Sequence, residues 1–285
     1  MEFKSHYWDS LTDKAAFISF VKQIHNLDLT LWDEAGFWDD DFVPFTFFEA
    51  GSVISNTCLY LHDAVIQGKR ARMLQISTVG THPDFRRQGL NRDLTQKALV
   101  WAEGNYTGLF LFADEDAIPY YLKCDFKPLK EYLHRVTARP RMKRMGIRQL
   151  NPGLDKDLLL IYAYAQSRAP VSDIFALMSP RLFMFHALYT LRSNIYEIPD
   201  LQCLVLMKRE NGTLHIYDIV GNVMPAFHNV YPYIADEDDS SIVFHVPTDK
   251  LQLAGVESEE LVNSHAFSLG EFPLKLPVIQ YTAKA

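Results

Sequence analysis

The sequence is poor in cysteine. Among its 285 residues there are three, Cys58, Cys124 and Cys203, and none has the Cys-x-x-Cys spacing of a zinc or redox site. Scattered single thiols argue against a disulfide framework and predict a reduced, cytoplasmic protein. The N-terminus also lacks a basic start followed by an apolar run, so we expect no secretory signal. No histidine or cysteine spacing predicts a metal site.

Long apolar runs and excess positive charge are missing as well. The most apolar long stretch, residues 173–191, is interrupted by Pro180 and Arg181, and it predicts two soluble helical segments rather than a membrane span. Lys and Arg number 28 against 35 Asp and Glu, which gives a net charge of −7. Nucleic-acid binders need basic surfaces that displace counterions, so we expect neither a nucleic-acid nor a membrane partner.

Length and composition predict two globular domains. Hydrophobic residues make up 48% of the chain and charged residues 22%, an ordinary soluble balance. The run 135–148 is basic and contains Pro140 and Gly146, so we place the boundary there, with domains 1–138 and 139–285. A solvated linker is the simpler interpretation of this run, and contact with an anionic partner is the alternative.

The first half predicts a mixed α/β (α+β) fold. Apolar spacing predicts a helix over 9–26, capped by Asp9 or Ser10, and a second helix that begins at Leu90 and stops near Gly104. Strands are predicted at 42–51, 52–68, 72–82, 107–114 and 128–137, with a short helix within 115–126. The strand–helix–strand crossover after residue 82 implies a parallel pair inside a mixed central sheet flanked by helices.

The second half loosely repeats this order. It predicts helices at 150–166 and 173–190, a hairpin over 202–221 that turns at Asn211–Gly212, and a strand from Ser240. We therefore expect a degenerate internal duplication, that is, a tandem arrangement of two similar units.

One helix start concentrates positive charge. Residues 81–94 read THPDFRRQGLNRDL, which places Arg86, Arg87 and Arg92 around Gly89 at the start of the second helix. A helix N-terminus offers free N–H groups and partial positive charge, and glycine lets the backbone approach a phosphate closely. This chemistry suits a pyrophosphate. On spacing alone, an ordinary solvated helix start explains the same residues equally well.

Two sequence blocks together resemble the GNAT superfamily of acyl-CoA N-acyltransferases. The R/Q-x-x-G-x-G/A loop of that family corresponds to Arg86, Gly89 and Asn91. Its A-x-x-F-Y-x-K-x-G-F pattern corresponds to Ala117, Tyr120, Tyr121, Lys123, Asp125 and Phe126. Asn91 and Asp125 depart from the usual small residues, and Asn91 would bring a side chain near the phosphates. The resemblance covers residues 10 to 137.

The resemblance implies transfer of an acyl group, by default acetyl, from acetyl-CoA to a primary amine of a small molecule or peptide. The cofactor-binding residues that it implies are Val79, Gly80, Thr81, Arg86, Arg87, Gln88, Gly89, Leu90, Asn91 and Arg92. Tyr121 stands where the family has the tyrosine that protonates the leaving sulfur, and Tyr120 would then be its packing partner.

The amine site is expected in the segment after the first helix. Trp32, Asp33, Glu34 and Glu49 are the candidates, since carboxylates attract a cationic amine and aromatic rings suit its apolar body. A solvated acidic loop is the simpler interpretation of each carboxylate, and the triplet 39–41 is an equal candidate for the general base.

Two other functions stay open. A non-catalytic CoA-binding sensor or scaffold is favoured by Asn91 and Asp125. Transfer from aminoacyl-tRNA would need a basic cleft, which the net negative charge opposes. The sequence indicates neither the acyl chain length nor the oligomeric state.

Overall fold

The computed structural model describes residues 1–104, 106–139 and 142–285; Pro140 of the predicted linker lies outside them. The strands are β1 Glu2–Ser5, β2 Phe42–Glu49, β3 Ser52–Ile66, β4 Lys69–Thr81, β5 Gly108–Phe112, β6 Phe126–Pro128, β7 Tyr132–Thr137, β8 Arg148–Gln149, β9 Phe175–Met178, β10 Ile195–Ile198, β11 Cys203–Glu210, β12 Thr213–Gly221, β13 Ser241–Phe244, β14 Glu257–Glu260 and β15 Ala266–Leu269. The helices are α1 Leu11–His25, α2 Thr30–Glu34, α3 Leu90–Ala102, α4 Ile118–Lys123, α5 Asp155–Ser167, α6 Pro180–Leu188 and α7 Phe227–Ile234.

The first sheet has the strand order β1-β2-β3-β4-β5-β15-β6, and β9 pairs with the second half of β3. Of the strand pairs that the structure describes in this sheet, only β4 and β5 run parallel, because α3 carries the chain across between them. Along β3, Cys58 and Tyr60 pack on the α1 side while Leu59 packs on the α3 side. The alternation of a strand thus places α1 and α3 on opposite faces of the sheet. The mixed, helix-flanked fold is confirmed.

The second sheet has the order β14-β7-β13-β12-β11-β10-β8. It repeats the plan of the first: the antiparallel hairpin β11–β12 is followed by α7 and then by β13, which pairs parallel to β12. The turn of the hairpin is Asn211–Gly212, and both residues have a positive φ, as the short hairpin turn requires. The repeated plan supports the predicted degenerate duplication.

The two sheets exchange strands. β7 precedes residue 138 yet belongs to the second sheet, and β15 lies in the first sheet between β5 and β6. The boundary at residue 138 therefore does not separate the sheets, and the division into 1–138 and 139–285 stays a prediction about domains.

Most local predictions hold, and one is wrong. The α1 helix is capped by Ser10, whose Oγ accepts from the Asp13 N–H at 3.3 Å. The segment 173–190 was predicted to be helical throughout, but its first part is strand β9. Phe175 to Met178 is a short apolar run that fits strand or helix equally by pattern. These residues form a strand because they pair with residues 63–66 of β3.

Candidate functional site

The two parallel strands of the first sheet separate at a bulge. Their pairing runs from Met73–Gly108 to Ile76–Leu111, whereas β4 continues to Thr81. The β3–β4 register shifts between Asn56 and Cys58, and Thr78 of β4 has a left-handed φ of 50°. Extra backbone in one strand bends it. β4 therefore leaves β5 after the bulge and opens the sheet edge.

A cleft of about 990 Å³ occupies the space beyond this bulge. Its walls are the end of β4, the loop and first turn of α3, the C-terminal end of α1, and α4. All ten residues predicted to bind the cofactor line it, namely Val79, Gly80, Thr81, Arg86, Arg87, Gln88, Gly89, Leu90, Asn91 and Arg92. The fold thus brings residues 79–81 of β4 and residues 86–92 of the loop and α3 to the same cleft.

The start of α3 combines an open glycine with three arginines. Gly89 precedes the helix with φ 79°, and a Cβ placed there would have no atom within 4 Å, so it would project into open space. Arg87 also has a positive φ, 65°. Arg86 is tied to β4 by its Nε, which donates to the Thr81 carbonyl at 3.2 Å. Exposed Arg92 adds charge at the rim.

Asn91 has a different task from the one expected. Its Nδ2 donates to the carbonyl oxygens of Asn56 at 2.9 Å and Gly80 at 3.2 Å, and its Oδ1 accepts from Thr81 Oγ1. The side chain thus supplies donors to two strand carbonyls at the bulge, and the Gly80 carbonyl also accepts from Ser55 Oγ at 3.3 Å. Asn91 therefore joins the start of α3 to β3 and β4.

The two tyrosines of α4 exchange their expected positions. Tyr120 lines the cleft, and its hydroxyl bonds Thr95 Oγ1 at 2.9 Å. Tyr121 is 4% exposed and does not line the cleft; it packs on the rings of Phe126 and Phe267. Burial raises the pKa of Tyr120 to about 12 and raises that of Tyr121 as well, so both stay protonated at neutral pH.

The carboxylates predicted to hold the amine are not at the cleft. Asp33 forms an ion pair with Lys14, and Glu34 is exposed. Glu49 is exposed at the end of β2, beside the turn to β3. Trp32, the fourth residue predicted for the amine site, differs from the carboxylates because its side chain is buried. Its Nε1 donates to the Arg181 carbonyl at 3.0 Å. The prediction rested on charge complementarity between these carboxylates and an amine. In the structure, the carboxylates are paired or exposed to solvent away from the cleft.

A small second pocket adjoins the cleft, and we call it the Trp32 pocket. It has a volume of about 50 Å³ and is lined by Leu27, Leu29, Trp32, Phe42, Tyr60, Ser77, Thr78, Leu182, Phe185 and Ala285. Ser77 and Thr78 directly precede Val79, so the bulge forms the boundary between pocket and cleft. Leu182 and Phe185 come from α6 and could not be assigned to this site from sequence.

The end of α1 contributes a histidine to the cleft. His25 Nε2 is buried and has no hydrogen-bond partner among the described residues. Burial lowers the pKa of His25, and the nearby Asp114 carboxylate opposes that shift. The imidazole is therefore neutral near pH 7. In the described parts of the chain, no group of three or more His, Cys, Asp or Glu could hold a metal ion. Nor does any described helix combine the length and apolar character needed to cross a membrane.

Comparison with known proteins agrees with this geometry. Residues 42–129, from β2 to just past β6, match the sequence model of the acetyltransferase (GNAT) domain. No curated protein sequence matches the chain.

Solved structures resemble both halves. A conserved protein of unknown function from Enterococcus faecalis V583 is 14% identical with a TM-score of 0.58, over 94% of this chain and 71% of that one. Eis1 from Mycobacterium abscessus is 16% identical with a TM-score of 0.54, over 91% and 72%. A GCN5-related N-acetyltransferase from Anabaena variabilis is 13% identical with a TM-score of 0.54, over 94% and 72%. At these identities the likeness concerns the fold. The chain has the GNAT acyl-CoA N-acyltransferase fold, and its sequence match to the acetyltransferase (GNAT) domain is confined to residues 42–129.

Proposed function

We propose that the protein is an N-acetyltransferase that moves the acetyl group of acetyl-CoA to a primary amine. The family match supports acyl transfer in general. The observation that carries the finer proposal is the cleft beyond the β4 bulge, which has the arginine-rich start of α3 at one end and the Trp32 pocket at the other.

The donor would lie along the cleft. The first turn of α3, with Gly89 and the arginine side chains, suits the pyrophosphate, because the backbone N–H groups there have no intrahelical partner. The end of β4 from Val79 to Thr81 is unpaired on its β5 side, so an extended pantetheine can add to it as a strand. The thioester would then reach the bulge, where cleft and pocket meet.

At the bulge the chemistry requires one bond to form and one to break. The neutral amine nitrogen attacks the thioester carbon, the C–S bond breaks, and the leaving thiolate takes a proton. Tyr120 is the group that we assign to that proton transfer, since it lines the cleft and stays protonated at neutral pH. The Thr95 hydroxyl at 2.9 Å holds the phenol in place. The proton of the amine leaves to solvent.

Calorimetric titration with acetyl-CoA tests the donor site. We expect micromolar binding by the natural sequence and a loss of at least 100-fold in Gly89→Glu, because a carboxylate would enter the space meant for phosphate; this corresponds to about 2.7 kcal/mol. Gly104→Glu is the matched control. Gly104 lies past the other end of α3 with φ 77° and equally open space. Undetectable binding by the natural sequence would refute the proposal, and equal weakening by both variants would remove the phosphate assignment.

A second candidate is a non-catalytic CoA-binding sensor or scaffold. The position of Tyr121 favours it, because the tyrosine that the family motif implies as acid is enclosed in the core. Turnover separates the two: release of free CoA thiol that depends on an added amine identifies an enzyme. Tight acetyl-CoA binding without any amine-dependent release identifies a sensor.

A further inference from the structure

The Trp32 pocket is apolar on nearly all sides. Its walls combine the loop after α1, the strands β2, β3 and β4, and helix α6, so both halves of the chain form it. Among the described residues, no Asp, Glu, Lys or Arg side chain lines it. The Tyr60 hydroxyl remains protonated, since burial raises its pKa well above the usual value. A ligand body that enters this pocket therefore meets no charged side chain, and the backbone N–H and carbonyl of Ala285, which also lines the pocket, are bonded to the Gln75 side chain.

One polar side chain in the pocket wall has no partner. Ser77 is 8% exposed, its Oγ is buried, and no described residue hydrogen-bonds to it. A buried hydroxyl without a partner is unfavourable, so its presence indicates a ligand group that completes it. Ser77 lies at the bulge where the Trp32 pocket meets the cleft. A ligand seated there would have its polar end at the hydroxyl and its apolar end in the pocket.

We infer that the Trp32 pocket selects the acceptor: a short aliphatic monoamine, with its alkyl chain between Trp32 and Leu182 and its nitrogen at Ser77 Oγ. This inference rests on the proposed N-acetyltransferase function. A volume of about 50 Å³ is a third of the roughly 150 Å³ of an engineered cavity that holds benzene, so only a chain of a few carbons fits.

The same apolar walls assist the reaction. Moving an ammonium group out of water lowers its pKa, which favours the neutral amine that the attack requires. Asp33 and Glu34, expected to attract a cation, lie outside the pocket. A second ammonium on the acceptor would meet no carboxylate side chain inside it, and burial of an unpaired charge is strongly unfavourable.

A matched pair of amines tests the inference. n-Butylamine and 1,4-diaminobutane have the same carbon chain and differ by one terminal ammonium. With the full chain and saturating acetyl-CoA, we expect kcat/KM for n-butylamine to exceed that for the diamine by about 100-fold or more, as the cost of an unpaired buried charge implies. The readouts are release of CoA thiol and the mass of the N-acetyl product.

Two variants locate the selection. Leu182→Phe fills the pocket and should raise the KM for n-butylamine about tenfold while leaving the KM for acetyl-CoA unchanged. Leu159→Phe on α5, where the side chain is 68% exposed, is the control and should change neither. Should Leu182→Phe fail to fold, Ser77→Ala gives the same comparison: a lower kcat/KM for n-butylamine with unchanged calorimetric binding of acetyl-CoA.

The outcomes distinguish this inference from the function on which it rests. Acetyl-CoA binding with equal or better use of the diamine overturns the inference alone, as does binding with no acetylation of either amine. If Leu182→Phe impairs butyryl-CoA but spares acetyl-CoA, the pocket holds the acyl chain, and the inference is wrong. If the natural sequence does not bind acetyl-CoA, the proposed function fails and the inference fails with it.

Discussion

Replacing Tyr120 by phenylalanine removes a hydroxyl that faces the cleft and leaves the ring in place. A proton donor of this kind contributes about 10²- to 10⁴-fold to a rate, so kcat should fall by that factor, or about 3–5 kcal/mol of transition-state stabilisation. Tyr121→Phe removes the same hydroxyl one residue later. Its ring packs against Phe126 and Phe267, away from the cleft, so its kcat should stay within about threefold of the natural value.

Stability must be separated from chemistry in this comparison. Tyr120→Phe leaves Thr95 Oγ1 without its partner, and Thr95 is 2% exposed. The free energy of unfolding should therefore fall by about 1–3 kcal/mol. That is less than the 5–15 kcal/mol typical of folded domains, and the variant should remain folded at 25 °C. Thr95→Val removes the same hydrogen bond but retains the Tyr120 hydroxyl, so its kcat should fall less than tenfold.

The assay is the initial rate of CoA thiol release from acetyl-CoA with n-butylamine, together with urea unfolding of each variant. A loss of kcat in Tyr120→Phe that Thr95→Val does not share would establish the hydroxyl itself as the important group. A greater loss in Tyr121→Phe than in Tyr120→Phe would refute the assignment and restore the tyrosine that the family motif implies. Equal, small losses in both would mean that water protonates the thiolate.

Three further predictions concern stability. Gly80→Ala would place a Cβ 2.9 Å from Ile24 Cγ2, so unfolding free energy should drop by about 1–3 kcal/mol in urea, and Ile24→Ala in the same chain should recover part of it. Asn91→Asp loses the amide donor to two strand carbonyls. The free energy of unfolding, measured in urea, should fall by at least about 1 kcal/mol, and an unchanged value would contradict the joining role of Asn91. Burial lowers the pKa of His62 to about 3 and that of His186 to about 4. Below their ordinary pKa of about 6.5 only the unfolded chain takes up these protons, so stability should decline from pH 6.5 toward pH 4 by up to about 1.4 kcal/mol per pH unit for each histidine. His186→Gln should flatten that decline, and a parallel decline in the variant would show that carboxylates cause it.

Much of the fold followed from local pattern. The periodicities of the first half predicted α1, the strands β2 to β5 and α3, and Asn211–Gly212 predicted the turn between β11 and β12. These features depend on residues within one turn or one strand, where sequence neighbours are also spatial neighbours. The loop of Arg86 to Gly89 was predictable for the same reason, since a helix start and its preceding turn are local.

Predictions that depended on distant partners were wrong or incomplete. Residues 175–178 form a strand because β3 offers them an open edge more than 100 positions earlier, and no pattern within the run indicates that edge. The acidic residues Asp33, Glu34 and Glu49 were placed at the amine site by charge alone. In the structure, Lys14 pairs with Asp33, the N-terminal ammonium of Met1 pairs with Glu49 at 3.7 Å, and Glu34 is exposed to solvent.

The sequence by itself determined that this chain has a strand, a glycine-containing basic turn and a helix, in the order on which the proposed anion site depends. Only the tertiary structure decided which tyrosine reaches that site. Strand β15 enters the first sheet between β5 and β6 and places Phe267 over Tyr121, so Tyr120 is the one left at the cleft. The Trp32 pocket likewise exists only because α6 packs against α2 and β3. Both outcomes come from burial of apolar surface between segments far apart in the chain, which local periodicity does not encode.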